Sequence, residues 1–488
     1  MVFLKILNIN SLPLLPKFGD KTVKMDIGKK DIAWNFIGTI MRVASGVILM
    51  PLVLVQLSKA DVGLWNIYIQ LGGLALLLDF GFMNSFGRNI TYIFSGVKEL
   101  KAEGYASVDY TDKTISYDLL KSVINAMRRY YGMIALVFFV LFLIASPLYL
   151  SKILIGYSGD KSTIWISWFI YGFLVAYQLY TYYYSSLLSG RGMIKKLQQI
   201  IVVGQMCRIL TSLLFLFLGF GIVALVIGQL VSDIVNRALC YNAFYDKDLR
   251  QQLKHAVVIP VASVMKIMTP NALKIGITTL GWFLTSKIVI LVAPLLSITL
   301  PTVGSYGTTL QMINLIMSLG TLWFATFYPK MTLYRVNDKE TDLKRVYIKS
   351  QLALFFVFLL CGAGLIIMGP VFLKLIGSKT QLLSSMMILV MLFFALLESN
   401  YGIANAFILS GNEVPYMKSS IITGIFSSTL LLVLLKFTTF STWAMILAPG
   451  IAASLYLNWK WPLVAAKKLD LRPIDYYKVS IQTIKELK

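Results

Sequence analysis

Twelve stretches of this sequence are long and apolar enough to cross about 30 Å of hydrocarbon as helices rising about 1.5 Å per residue. They run about 31–56, 62–88, 130–150, 163–187, 196–218 and 221–239, then 267–294, 298–328, 349–373, 381–409, 416–436 and 440–462. Inside a bilayer only helices and closed barrels satisfy their own backbone, and barrel strands need only about 10 residues. The chain therefore reads as an all-α polytopic membrane protein. Its charged fraction of 14 % agrees, since soluble domains carry about a quarter charged residues. The expected division is a 1–28 N-terminal segment, a 29–240 six-helix bundle, a 241–266 linker, a 267–462 six-helix bundle and a 463–488 tail.

A formal charge of +23 would suggest nucleic acid in a soluble protein. Here the loops explain it. One set of connections, with both termini, carries 35 Lys and Arg, and the opposite set carries 6. Positive connections stay inside, so both termini are expected in the cytoplasm and no nucleic-acid partner is expected. The outer connections are all short, which leaves no place there for a catalytic domain. The longest inner connection, about 89–129, holds a polar stretch from Ala106 to Asp118 and then an expected amphipathic helix lying on the membrane. The N-terminus lacks a cleavage site of small residues and reads either as an interfacial segment or as preceding a start at Met25. Cys207, Cys240 and Cys361 all fall in apolar runs and read as buried thiols. With His255 as the sole histidine, no His-based metal site or triad is expected.

Ionisable residues within spans are costly, roughly 2.5–3.5 kcal/mol at mid-bilayer, and are functional candidates by default. Four are cations: Arg42, Arg208, Lys274 and Lys287. Three are acids expected toward the cytoplasmic half: Asp79, Asp233 and Glu398. Helical rise puts Arg42 about 16 Å into its span. Asp79 and Arg88, nine positions apart, fall on opposite faces of one continuous helix, so each needs its own partner. The plain alternative to a ligand role is pairing that locks the bundle: Arg42 with Asp79, Arg208 with Asp233, Lys274 with Glu398. The tyrosines Tyr177, Tyr180, Tyr182, Tyr183 and Tyr184 read as an interfacial aromatic belt.

The two halves also repeat. Val62-Gly63 matches Val303-Gly304, Gln70 matches Gln311 at the same offset, and Leu188-Ser189-Gly190 matches Leu409-Ser410-Gly411. Asn35, Gly38, Arg42 and Ser45 share the spacing of Asn271, Lys274, Thr278 and Gly281. Corresponding helices run in the same direction, which implies parallel repeats about an axis along the membrane normal.

Asp79-Phe80-Gly81 with Arg88, the turn Ser189-Gly190-Arg191 and the Leu-Trp after Val62-Gly63 together resemble bacterial polysaccharide (O-antigen) flippases of the multidrug/oligosaccharidyl-lipid/polysaccharide exporter superfamily. The resemblance covers about Asp31 to Pro462. It implies a V-shaped, MATE-like twelve-helix protein of the bacterial inner membrane that moves an undecaprenyl-pyrophosphate-linked oligosaccharide to the outer leaflet. Membrane lipids and other polysaccharide-assembly membrane proteins are the implied partners, and no cofactor is implied. Proton or sodium coupling stays open. The tail after Pro462 is too short and polar for the two extra helices of a lipid II flippase type.

On that reading Arg42, Arg208, Lys274 and Lys287 line a cleft for the diphosphate, and Asn35 and Thr39 bond sugar hydroxyls beside Arg42. Asp79, Arg88, Asp233 and Glu398 are the gate or coupling candidates. The competing functions are a MATE-like multidrug or organic-ion exporter, and an integral-membrane glycan polymerase or ligase.

Overall fold

A computed structural model of the chain describes residues 29–98, 114–258, 260–296, 298–336, 339–410 and 414–487. Among them every regular element is helical. The first half comprises α1 (Lys29–Gln56), α2 (Lys59–Leu76), α3 (Phe82–Phe94), α4 (Tyr117–Ile153), α5 (Lys161–Thr181), α6 (Tyr183–Gly190), α7 (Ile194–Phe217) and α8 (Ile222–Phe244). A short helix, α9 (Lys247–His255), follows. The second half comprises α10 (Val261–Ser286), α11 (Ile288–Val292), α12 (Leu300–Val336), α13 (Glu340–Leu375), α14 (Ser385–Leu409), α15 (Met417–Phe437), α16 (Thr442–Leu455) and α17 (Leu457–Lys468), with α18 (Pro473–Leu487) last.

Nine helices among the described residues are long and apolar enough to cross a membrane, and ten if the pair bent by 54° between Ser286 and Ile288 is one span. Helix α1 and the interrupted pair α16–α17 occupy the two remaining positions expected from the sequence. The expected second span is not continuous. It breaks between α2 and α3.

The halves share one packing plan. The first span lies on the fifth in each (α1 on α7, α10 on α15), and the fifth lies on the sixth (α7 on α8, α15 on α16). The third spans also correspond. Helices α4 and α13 run 37 and 36 residues and carry Pro147 and Pro370 near their far ends. At about 1.5 Å per residue each is much longer than the hydrocarbon is thick. Their near ends therefore project, and each holds the helix that closes its half, α9 on α4 and α18 on α13. Lys121 donates to the Ala256 carbonyl (2.8 Å), and Asp118 accepts from the Val257 N–H (2.7 Å). In the second half the Tyr476 hydroxyl donates to Gln351 (2.5 Å).

The segment before residue 130 was expected as a separate helix on the membrane surface; it is instead the projecting part of α4. Its apolar stripe, Leu119, Leu120, Val123 and Met127, is buried in protein. That stripe is what made it read as amphipathic. The polar stretch from Ala106 to Lys113 and the 1–28 segment lie outside the described residues.

The halves meet where α2 crosses α12, at the repeated Val-Gly pairs. A Cβ on Gly63 would lie 2.1 Å from the Leu300 carbonyl oxygen, and one on Gly304 would lie 2.8 Å from the Lys59 carbonyl oxygen. Each glycine thus faces the carbonyl four residues before the other. Three residues further on, a Cβ on Gly307 would meet Asn66 at 2.3 Å, and Asn66 Oδ1 accepts from Gln311 (2.7 Å). Lys379 ties the same end, donating through its backbone N–H to the Leu54 carbonyl and through Nζ to that of Gln56, both at 2.9 Å.

Small residues let helix backbones approach where no hydrophobic force separates protein from lipid. Gly304→Leu is expected to wedge α2 from α12, costing about 1–3 kcal/mol or more in packing strain. The check is melting of detergent-purified protein. Gly46→Ala is the control, because nothing lies within 4 Å of a Cβ there.

Candidate functional site

Asp79 sits in the break of the second span. Leu77–Asp79 form a 3₁₀ turn, Phe80 (φ 46°) and Gly81 (φ 76°) adopt left-handed backbone, and α3 begins at Phe82. A break in a helix frees backbone groups that must find new partners. Here α4 satisfies them. The Tyr130 hydroxyl donates to the carbonyls of Leu78 (2.9 Å) and Asp79 (3.2 Å). The Asp79 carboxylate accepts from the Met83 N–H (3.0 Å), capping α3, and from the Tyr131 hydroxyl (2.5 Å). A left-handed phenylalanine costs about 1–3 kcal/mol, and it is held by the other half. Phe80 rests on Gly276 of α10, where a Cβ would lie 2.6 Å from its Cα, and a Cβ on Gly81 would meet Ile275 at 2.8 Å. The Asp-Phe-Gly motif is thus a capped helix break docked across the seam.

Arg88 lies beyond that break on α3 and is exposed, so the two residues do not share one helix. It lines a polar cleft of about 210 Å³ with Gly87, Thr91, Ser189 and Gly190. Two of the separate sequence signals, the arginine and the Ser-Gly turn, converge on this cleft. Gly190 is required there because a Cβ would lie 2.7 Å from the Gly87 carbonyl.

Nearby, Arg191 was not among the sequence candidates. It donates to the Phe244 carbonyl (2.7 Å) and to Asp246 (2.6 Å), with Phe94 and Phe244 rings at 5.7 and 5.8 Å. Asp246 lies outside the spans and caps α9. The Leu249 N–H, and next Arg191, hold its carboxyl below the usual carboxylate range. Tyr183 and Tyr184, expected in an interfacial belt, are instead buried at 1 % and 2 % exposure, with the Arg237 guanidinium 3.7 Å from the Tyr184 ring centroid.

Four of the mid-span charges fall into two clusters, one in each half. In the first, Asp233 on α8 accepts from Gln178 (2.6 Å) and Gln229 (3.1 Å), with Arg208 of α7 in electrostatic reach. The Arg208 Nε is buried and has no hydrogen-bond partner. In the second, Glu398 on α14 accepts from the Trp282 indole (2.7 Å) and weakly from Ser286 (3.4 Å). Lys287, at the bend between α10 and α11, interacts with Glu398 and lies 5.2 Å from the Trp282 ring centroid.

One of the pairings expected as locks is therefore different. Glu398 stands beside Lys287 rather than Lys274, because the bend at Ser286 carries Lys287 toward α14. Asp79 is engaged by Tyr131 and by the N-terminus of α3. Lys274 is exposed on α10. Arg42, Asn35 and Thr39 belong to α1, but their side chains lie outside the described residues. Among the described residues no cluster of His, Cys, Asp and Glu has the makings of a metal site.

No family model matches the chain, and no curated protein is significantly similar to it in sequence. Its fold, however, is that of solved membrane transporters. It matches the inward-facing conformation of a multidrug resistance MATE family transporter of the MOP superfamily with a TM-score of 0.65 at 12 % identity, over 98 % of each chain. It matches lipid II flippase MurJ in an inward closed conformation with a TM-score of 0.59 at 14 % identity, over 94 % of this chain and 91 % of that one. A crystal structure of MATE in the straight conformation gives 0.54 at 14 % identity, over 95 % of this chain and 100 % of that one. The fold is thus similar to those of these transporters, an all-helical membrane architecture as the sequence led us to expect.

Asp79→Asn keeps a capping oxygen, whereas Asp79→Ala orphans the α3 N-terminus and the Tyr131 hydroxyl. The alanine variant is expected to lose roughly 1–3 kcal/mol and the asparagine variant clearly less, read as melting of the purified protein. The Asp246 contact predicts a pH effect. A depressed carboxyl stabilises above its unfolded pKa of about 3.9 and loses that contribution as pH falls through the lower folded value. Protection of the amides across 247–255, corrected for their intrinsic exchange rates, should therefore fall in that acidic window, and in Asp246→Ala it should be low already at neutral pH.

Proposed function

We propose that the protein is a flippase for a lipid-linked anionic glycan, carrying an undecaprenyl-pyrophosphate-linked oligosaccharide from the cytoplasmic to the outer leaflet of the bacterial inner membrane. In this reading the basic end of the bundle and both termini face the cytoplasm. The halves 29–240 and 267–462 rock against each other about the α2–α12 crossing, presenting a central cleft to each side in turn. The observation that carries the reading is Arg208. A buried guanidinium nitrogen without a partner costs free energy, and a phosphate oxygen supplies the missing acceptor with a charge-assisted bond. The cations Arg42, Lys274 and Lys287 are assigned to the same headgroup, and Asn35 and Thr39 to its sugars.

Asp233 and Glu398 each stand beside a cation, which makes them the candidates for proton or sodium coupling. Asp79 is set aside from that role because it is consumed as a helix cap. Arg88, in its polar cleft, is assigned to gating at the basic end. A second reading, a multidrug exporter for organic cations, is favoured by Glu398. Its carboxylate lies among Trp282, Tyr306 and Tyr401, and a carboxylate amid aromatic rings suits a cationic ligand.

Proteoliposomes separate the two. Wild-type protein is expected to move labelled prenyl-pyrophosphate oligosaccharide and not ethidium. Arg42→Ala and Arg208→Gln should each slow that movement on the order of tenfold or more, while Arg42→Lys keeps part of it. Ethidium transport that depends on Glu398, with no glycolipid movement, would establish the second reading instead.

A further inference from the structure

The seam between the halves is not filled everywhere at the basic end. Helices α4 and α10 leave a crevice of about 230 Å³ lined by Ala126, Arg129, Tyr130, Met133, Ala262 and Met265. Its walls are mostly apolar, and Met133 at its edge is 57 % exposed. Tyr130 forms a fixed wall, because its hydroxyl is held by the broken second span. Arg129 is exposed and makes no ion pair among the described residues. Its neighbour Arg128, by contrast, is engaged with the Tyr245 hydroxyl at 3.2 Å.

Depth fixes the surroundings of the crevice. From Arg129 to Lys152 the helix α4 is apolar apart from isolated hydroxyls, and its rise over that stretch is about 34 Å, close to the thickness of the hydrocarbon. Arg129 therefore lies at headgroup level on the basic side. Met133, one turn along, lies at the level of the acyl chains.

We propose that this crevice binds an anionic membrane lipid, with one chain between Met133 and Met265 and the headgroup phosphate on Arg129. An apolar crevice open to the bilayer is filled by hydrocarbon rather than water, and methionines adapt to a chain of irregular path. The guanidinium fork matches phosphate oxygens, and the cytoplasmic leaflet supplies anionic headgroups. Because α4 belongs to one half and α10 to the other, the bound lipid bridges the seam. The site is independent of what the protein transports.

Native mass spectrometry of the full chain, released from detergent with phosphatidylglycerol or phosphatidylcholine, tests it on samples that are monodisperse and melt like wild type. Wild type is expected to retain phosphatidylglycerol in preference to phosphatidylcholine. Arg129→Gln should lower phosphatidylglycerol retention about five-fold without changing that of phosphatidylcholine. Met265→Trp, which fills the crevice from the other half, should lower both. Lys152→Gln, at headgroup level on the opposite side, should change neither. The proposal is overturned if Arg129→Gln retains phosphatidylglycerol like wild type, if Lys152→Gln loses as much, or if wild type holds the two lipids equally. Displacement of the lipid by inorganic phosphate alone would also overturn it, since that marks a free-anion site.

Discussion

A helix that stops and restarts where protein buries it must find partners for the backbone groups it releases. In this chain that requirement is met at Leu77–Gly81 by two adjacent tyrosines, and much else follows from their placement. Tyr130 takes up the released carbonyls, and Tyr131 binds the carboxylate that caps the next helix. The third span must therefore lie against the second at this level. The left-handed turn protrudes, and only a glycine on the facing helix admits it, so Gly276 couples the break to the opposite half. One local backbone feature thus fixes a helix pair within a half and a contact between halves.

The second contact between halves has a different character. At α2 and α12 each repeat supplies the same Val-Gly pair, and each glycine admits the other repeat's backbone carbonyl. Such reciprocity is what a two-fold relation demands of residues near its axis. It explains why the motif occurs twice with equal spacing. The seam therefore includes a close, symmetric crossing near one end and an asymmetric docked turn toward the other.

Charge is distributed on the same plan. Each half keeps one cation near one carboxylate, and in both the carboxylate is engaged by neutral donors, amides in one and an indole in the other. Neutral donors satisfy a buried carboxylate without consuming the adjacent cation, which leaves Arg208 with an unused donor.

Much of the architecture was legible in the residues themselves. Span length, the loop-charge asymmetry and the repeated Val-Gly and Ser-Gly pairs depend on local pattern, and they anticipated an all-helical bundle in two matched halves. The role of Gly190 in a tight turn was legible for the same reason. Apolar periodicity, however, cannot report which partner covers a face. The start of α4 therefore read as a membrane-surface helix although protein buries it, and Tyr183 and Tyr184 read as interfacial although they are core. The Asp-Phe-Gly motif was visible as a signature, but its nature as a capped break depends on Tyr130 and Tyr131, each 52 residues away from the group it holds. The partners of Glu398 were likewise decided by a bend at Ser286 that no local propensity announces. Sequence alone determined that the chain crosses as helices arranged in repeated halves, because the bilayer imposes a length and a polarity that any span must obey. Tertiary structure alone decided which charges meet, because a pairing depends on where breaks and bends turn each helix face.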